Sequence, residues 1–102
     1  MPSYRVGFVK ERDLRYLSHL ELFRTIERGI RRAGLEMVFS EGFHPHPKLS
    51  FGPALSVGIA SRDEYFDMEL VQEYPEEKIL ADLNRVLPEG LQVLAVKKIL
   101  QQ

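Results

Sequence analysis

A chain of 102 residues with 44% apolar content is one domain, residues 1–102, large enough to bury a single core. The absence of cysteine excludes disulfides and thiolate metal sites. With no apolar run near the roughly 18 residues of a membrane span and no signal-peptide shape, a cytoplasmic protein without a membrane partner is expected. The net charge of −1 favours no partner, but residues 1–50 carry nine Lys/Arg against six Asp/Glu and residues 51–102 five against nine, which is either a basic surface in the first half or the ordinary scatter of a small domain.

Tyr4, Val6 and Phe8 alternate with Arg5, Gly7 and Val9, the period of a strand. The polar residues 11–16 form a turn that brings Arg12 and Arg15 close together. Ser18 followed by Glu21 is a capping box, with Leu17 and Leu22 as its hydrophobic staple. Gly34 suits the left-handed residue just past a helix end, so a helix is predicted over residues 19–33. Its spacing gathers Leu22, Phe23, Ile26, Ile30 and Ala33 on one face and Arg24, Arg28, Arg31 and Arg32 on the other. Glu21 and Glu27 are placed to pair with Arg24 and Arg31.

A second strand is expected over residues 35–40, from the alternation of Leu35, Met37 and Phe39. Residues 40–51 read as a loop. Residues 54–59 then read as a strand, paired in a hairpin with the strand of Phe66, Met68 and Leu70. Asp67 and Glu69 make the outer side of that hairpin acidic, which argues against nucleic acid there. Pro75 fits the first position of a second helix, with Glu76 and Glu77 in its first turn and Pro88 and Gly90 stopping it. Residues 91–96 are apolar on both sides and read as a central strand. The order β-α-β-(loop)-β-β-α-β implies an α+β, ferredoxin-like two-layer sandwich, with two helices on one face of a mainly antiparallel sheet.

The loop S-E-G-F-H-P-H-P-K-L-S-F holds two of the three histidines. Pro45 and Pro47 fix φ and push His44 and His46 toward extended backbone, where i and i+2 share a side and Lys48 continues the parity. Three basic groups along one edge suit phosphate binding. They equally suit metal-independent RNA cleavage, with one imidazole as base and the other as acid. His19, His44 and His46 form an alternative metal set, although His19 falls near the apolar face of the first helix. Gly42 lets the chain turn, and Phe43 plugs either the core or a partner's pocket. The arginine stripe is either a phosphate footprint or a solvated helix face; arginine without lysine favours bidentate phosphate contacts. No phosphate-binding glycine loop, Ser-His-Asp set or HExxH motif is present.

The run L-R-Y-L-S-H-L-E-L-F-R-T-I-E-R-G-I-R-R-A-G-L, then F-S-E-G-F-H-P-H-P-K-L-S-F-G-P-A-L-S-V-G and E-Y-F-D-M-E-L, resembles the radical-SAM-linked uncharacterised domain family of bacteria over residues 4–96. The resemblance implies an accessory role beside a radical-SAM protein in RNA or ribosome modification. Many members are about twice this length, so the chain is expected to be a short form or an amino-terminal part. A cysteine-free chain binds no iron–sulfur cluster and is not itself the radical-SAM enzyme.

Together these features lead to an RNA- or partner-binding accessory domain without a cofactor, more a binder than an enzyme. Its contacts would come from Arg12, Arg15, Arg24, Arg28, Arg31, Arg32, His44, His46 and Lys48, with anions also favoured at the amino end of the first helix. A histidine-dependent ribonuclease using His44, His46 and Lys48 and a purely protein-docking module are the alternatives.

Overall fold

The computed structural model describes residues 1–52 and 64–100. The elements are β1 (Ser3–Lys10), a 3-10 turn (Arg12–Tyr16), α1 (His19–Arg32), β2 (Leu49–Phe51), β3 (Glu64–Glu69), α2 (Glu76–Val86) and β4 (Leu91–Ile99). The strands form one four-stranded antiparallel sheet in the order β2-β3-β1-β4. The fold is thus α+β, with two helices and an antiparallel sheet.

Side chains of β1 and β3 alternate across the sheet. Tyr4, Val6 and Phe8 share the inner face with Phe66 and Met68, and all five are buried. Leu22, Ile26 and Ile30 of α1 and Ile79 and Leu83 of α2 close over that face. The Tyr4 hydroxyl is satisfied inside the core: it donates to Tyr74 O and accepts from Tyr74 N, each at 3.0 Å.

Local sequence signals set the ends of α1. Glu21 N donates to Ser18 Oγ at 3.1 Å and Ser18 N donates to Glu21 Oε1 at 3.0 Å, which completes the capping box. At the other end Gly34 adopts φ +80°. Gly34 N donates to Arg31 O and Leu35 N to Ile30 O, the paired bonds of a Schellman motif. The helix therefore stops one residue earlier than its periodicity suggests. The second helix likewise begins at Glu76, with Pro75 as its extended cap rather than its first helical residue.

Several expectations need correction. Residues 35–40 form no regular strand. They make two isolated bridges, Met37↔Leu70 and Phe39↔Pro47, because the segment passes the end of β3 and then folds back on itself. Its alternation is nevertheless real, since Leu35 and Met37 are buried. The strand next in sequence is β2, within the stretch read as loop. There Leu49 and Phe51 face Met68 and Phe66 across the ladder. The predicted strand at 54–59 lies outside the described residues.

The last strand is at the sheet edge, not its centre. Gly7 pairs with Ala95 and Phe8 with Val93, so Leu94 is an unpaired bulge residue and the inward parity switches there. Leu91 and Val93 point inward before the bulge, whereas Leu94 and Ala95 are exposed. Side chains of α2 cover the outer edge of β4. Asn84 donates to Val93 O at 3.0 Å and accepts from Val93 N at 2.8 Å, and Glu76 accepts from Lys98 N at 2.7 Å. These contacts blunt an edge that would otherwise offer unpaired backbone.

Candidate functional site

Two surfaces carry the residues singled out from the sequence. The first is the hairpin loop before β2. Its base is closed twice by Ser40, whose N donates to His46 O at 2.8 Å and whose Oγ accepts from His46 N at 3.0 Å. Lys48 N then donates to Val38 O at 2.8 Å, and Val38 N to Glu69 O at 2.9 Å, which anchors the hairpin to β3. Gly42, at φ +121°, makes the reversal that a residue with a Cβ rarely adopts.

Phe43 stands at the tip of this loop with 99% of its surface exposed. It is not a core plug. His44 and His46 are exposed as well. Residues 42–44 bend around Gly42 and Pro47 bridges back to Phe39, so the stretch from His44 to Lys48 forms the returning side of a closed loop. Lys48 leaves the loop and lies 3.9 Å from Glu69 on the open face of the sheet.

The second surface is α1. Arg31 bonds Glu27 at 3.0 Å, the expected i,i+4 pair. The companion pair does not form: Glu21 is engaged by Ser18, and Arg24 has no carboxylate partner among the described residues. The Ser18 bond holds the Glu21 carboxyl below its ordinary pKa. Arg28 and Arg32 also have no carboxylate partner among the described residues. Arg12 and Arg15 lie in the 3-10 turn that precedes α1, whose first residue is by helix rise about 8 Å from Arg24 and about 20 Å from Arg32. Arg12, in the left-handed region at φ 57°, pairs with Glu89. Arg15 donates to Arg12 O and lies over the Tyr16 ring.

Hollows connect these pieces. A groove of about 330 Å³ runs between Arg31 and the segment Leu35–Phe39, so the root of the loop borders the arginine face. Phe39, 42% exposed, forms its apolar lip. A second groove, of about 180 Å³, lies between α1 and α2 and is lined by Thr25, Arg28, Gly29, Arg32, Val86 and Pro88. The open sheet face holds a broader hollow of about 520 Å³ with Lys48, Asp67 and Glu69 in its wall. Its charges are balanced: Arg5 bonds Asp67 in bidentate fashion at 2.9 and 3.0 Å, which raises the Arg5 pKa further.

His19 is remote from a metal-binding role with the loop histidines. Its ring meets Phe51 edge-on at 5.3 Å, at the border of the Phe8, Phe51 and Phe66 cluster. Among the described residues no group of three or more His, Asp or Glu side chains is arranged to hold a metal. No described helix is long and apolar enough to cross a membrane.

Sequence reasoning missed Ser40 as the clamp of the loop and Phe39 as the link to Arg31. The signal for Ser40 was present: a small hydroxyl residue preceding a glycine-containing reversal commonly bonds nearby backbone. The groove between the helices had no comparable signal, because it depends on α2 docking beside Gly29.

A search of curated proteins finds no match. A family model described as an uncharacterized protein conserved in bacteria, DUF2344, matches residues 3–102. The match spans the strands, both helices and the loop, and the chain belongs to this bacterial family.

Proposed function

We propose that this domain is a non-catalytic accessory module that binds RNA and works beside a radical-SAM protein in RNA or ribosome modification. The resemblance in sequence supports the association, and any iron–sulfur cluster would belong to the partner, since this chain has no cysteine. We read the strand order as a ferredoxin-like sandwich whose two helices leave the α1 arginines on the outer surface.

The observation that carries the proposal is Phe43, almost wholly exposed on a loop braced by Ser40, on a domain whose α1 also carries Arg24, Arg28 and Arg32 without carboxylate partners among the described residues. Exposing a phenylalanine is unfavourable in water, and a braced loop loses little entropy on binding. An aromatic ring of this kind stacks on an unpaired base, while Arg24, Arg28 and Arg32 engage phosphates. The exposed Phe39 next to it also favours a protein partner, which is the second reading.

Salt separates the two. Three arginine–phosphate contacts on single-stranded RNA give a slope of about −2 in log affinity against log salt, or roughly a twentyfold loss between about 50 and 200 mM. Fluorescence anisotropy with a labelled single-stranded RNA measures this directly. Salt-independent affinity, or full retention of RNA binding by Phe43→Ala, contradicts the proposal. Cleavage of that RNA, lost in His44→Ala or His46→Ala, would instead establish the ribonuclease reading.

A further inference from the structure

The arginines of the described residues divide into two groups. Arg5, Arg12, Arg31 and Arg85 each face a carboxylate: Asp67, Glu89, Glu27 and Asp82. Arg15, Arg24, Arg28 and Arg32 have none among the described residues; Arg15 instead donates to Arg12 O and lies over the Tyr16 ring. Arg28 and Arg32 stand one helical turn apart and line the same groove between α1 and α2. Like charges at this spacing repel. Neither guanidinium donates a side-chain hydrogen bond to a described residue, so their donor forks remain available.

The rest of the groove explains why the pair stays there. A Cβ on Gly29 would lie 2.5 Å from Leu87 Cδ2, so glycine is what allows the end of α2 to approach α1 this closely. Both helices end in this region, and their carboxyl-terminal dipoles attract cations without a full counter-charge. The Thr25 hydroxyl donates to Glu21 O at 2.8 Å, which leaves its oxygen as an acceptor only. Val86 and Pro88 add an apolar wall, and Pro88 has no N–H. The donors of the groove are therefore the two arginine forks, groups whose chemistry suits an oxyanion. At about 30 Å³ per water, the 180 Å³ of the groove holds about six waters' worth of volume. That accommodates one phosphate group.

We propose that the groove between α1 and α2 is a discrete site for one phosphate group, held by Arg28 and Arg32. The inference deepens the RNA-binding reading, which supplies its biological ligand: a phosphate of the RNA, internal or terminal. The site differs from a diffuse basic face in that only two of the unpaired arginines build it.

The test uses the full chain and its Arg28→Gln, Arg32→Gln and Arg85→Gln variants. Arg85→Gln removes the same charge from the last turn of α2, outside the groove lining. Inorganic phosphate is titrated by calorimetry, and a ten-nucleotide RNA with or without a 5′-phosphate is titrated by anisotropy. Thermal unfolding confirms that each variant is folded. Phosphate should bind the wild type and Arg85→Gln equally and at least tenfold more weakly in Arg28→Gln and Arg32→Gln. A gain from the 5′-phosphate that disappears in those two variants assigns the site to RNA ends; equal loss for both RNAs assigns it to the backbone. No phosphate binding by the wild type, or equal weakening by all three substitutions, overturns the site. Phosphate bound in the groove without RNA binding sustains the site with a free phosphate ligand and defeats the RNA reading instead.

Discussion

Replacing Lys10 by methionine tests the most demanding electrostatic feature of the core. Lys10 Nζ lies 3.5 Å from Glu64 Oε1, and the two side chains are only 5% and 9% exposed. Glu64 Oε2 has no hydrogen-bond partner among the described residues. At an effective dielectric near 20, opposite charges at this distance attract by about 5 kcal/mol. Withdrawing two ions from water costs several kcal/mol each, so the intact pair contributes little net stability. Breaking it is different, because the remaining ion stays buried without its partner. Lys10→Met and Glu64→Gln should each cost about 3–5 kcal/mol, roughly a fifth or more of the ~5–15 kcal/mol that stabilises a typical domain. The double variant Lys10→Met/Glu64→Leu removes both ions and retains apolar volume, and it should fall within about 1 kcal/mol of the wild type or exceed it. Urea unfolding followed by far-UV circular dichroism gives the four stabilities, since the chain has no tryptophan to report. Single variants that lose less than about 1 kcal/mol, or a double variant as costly as the two singles together, would refute the argument.

Three further outcomes follow from the same contacts. Phe43→Ala should change stability by less than about 0.5 kcal/mol, whereas Phe66→Ala, at a fully buried position, should cost about 3–5 kcal/mol; urea midpoints compare them. Asn84→Ala removes both bonds to the Val93 backbone and should cost about 1–3 kcal/mol, with faster amide exchange at Val93 as the local signature. The lowered pKa of Glu21 means that the folded state favours its charged form. The corresponding stability is present above the ordinary glutamate range and is lost as pH falls through the lowered value. The difference in urea midpoint between wild type and Glu21→Gln should therefore shrink on acidification, and a difference that is constant with pH would contradict this linkage.

What the sequence disclosed well is what short-range chemistry decides. Ser18, Glu21 and Gly34 declare both ends of α1, because caps and left-handed closures involve residues within one turn. The core face of α1 follows from its period. The edge position of β4 was not legible, since two facts that decide it are tertiary: Leu94 bulges out of the ladder, and Asn84 and Glu76 reach across from α2 to cover the backbone. An apolar run of residues looks central when the bulge that switches its parity is not visible. The loop shows a related limit. Its prolines restrict the chain, but the closure of the loop also needs the left-handed Gly42 and the Ser40–His46 bonds, which proline spacing does not announce.

The unpaired arginines show how one local bond redistributes charge across a surface. Glu21 satisfies two periodicities at once, as a capping residue and as a neighbour of Arg24, but it forms the first bond and not the second. The acidic second half of the chain does not restore the balance on α1, because none of its described carboxylates pairs with Arg24, Arg28 or Arg32 and most are engaged elsewhere. Asp67 and Glu69 meet Arg5 and Lys48 on the open sheet face, Glu89 meets Arg12, Glu73 meets Lys98, and Asp82 meets Lys78 and Arg85. A chain with a net charge of −1 thus retains an uncompensated positive region at Arg24, Arg28 and Arg32. Attraction of a polyanion to such a protein depends on local field rather than on net charge, and that field decays within a Debye length of about 8–10 Å at physiological salt. The field of this region is therefore felt only by groups that come close to the α1 surface.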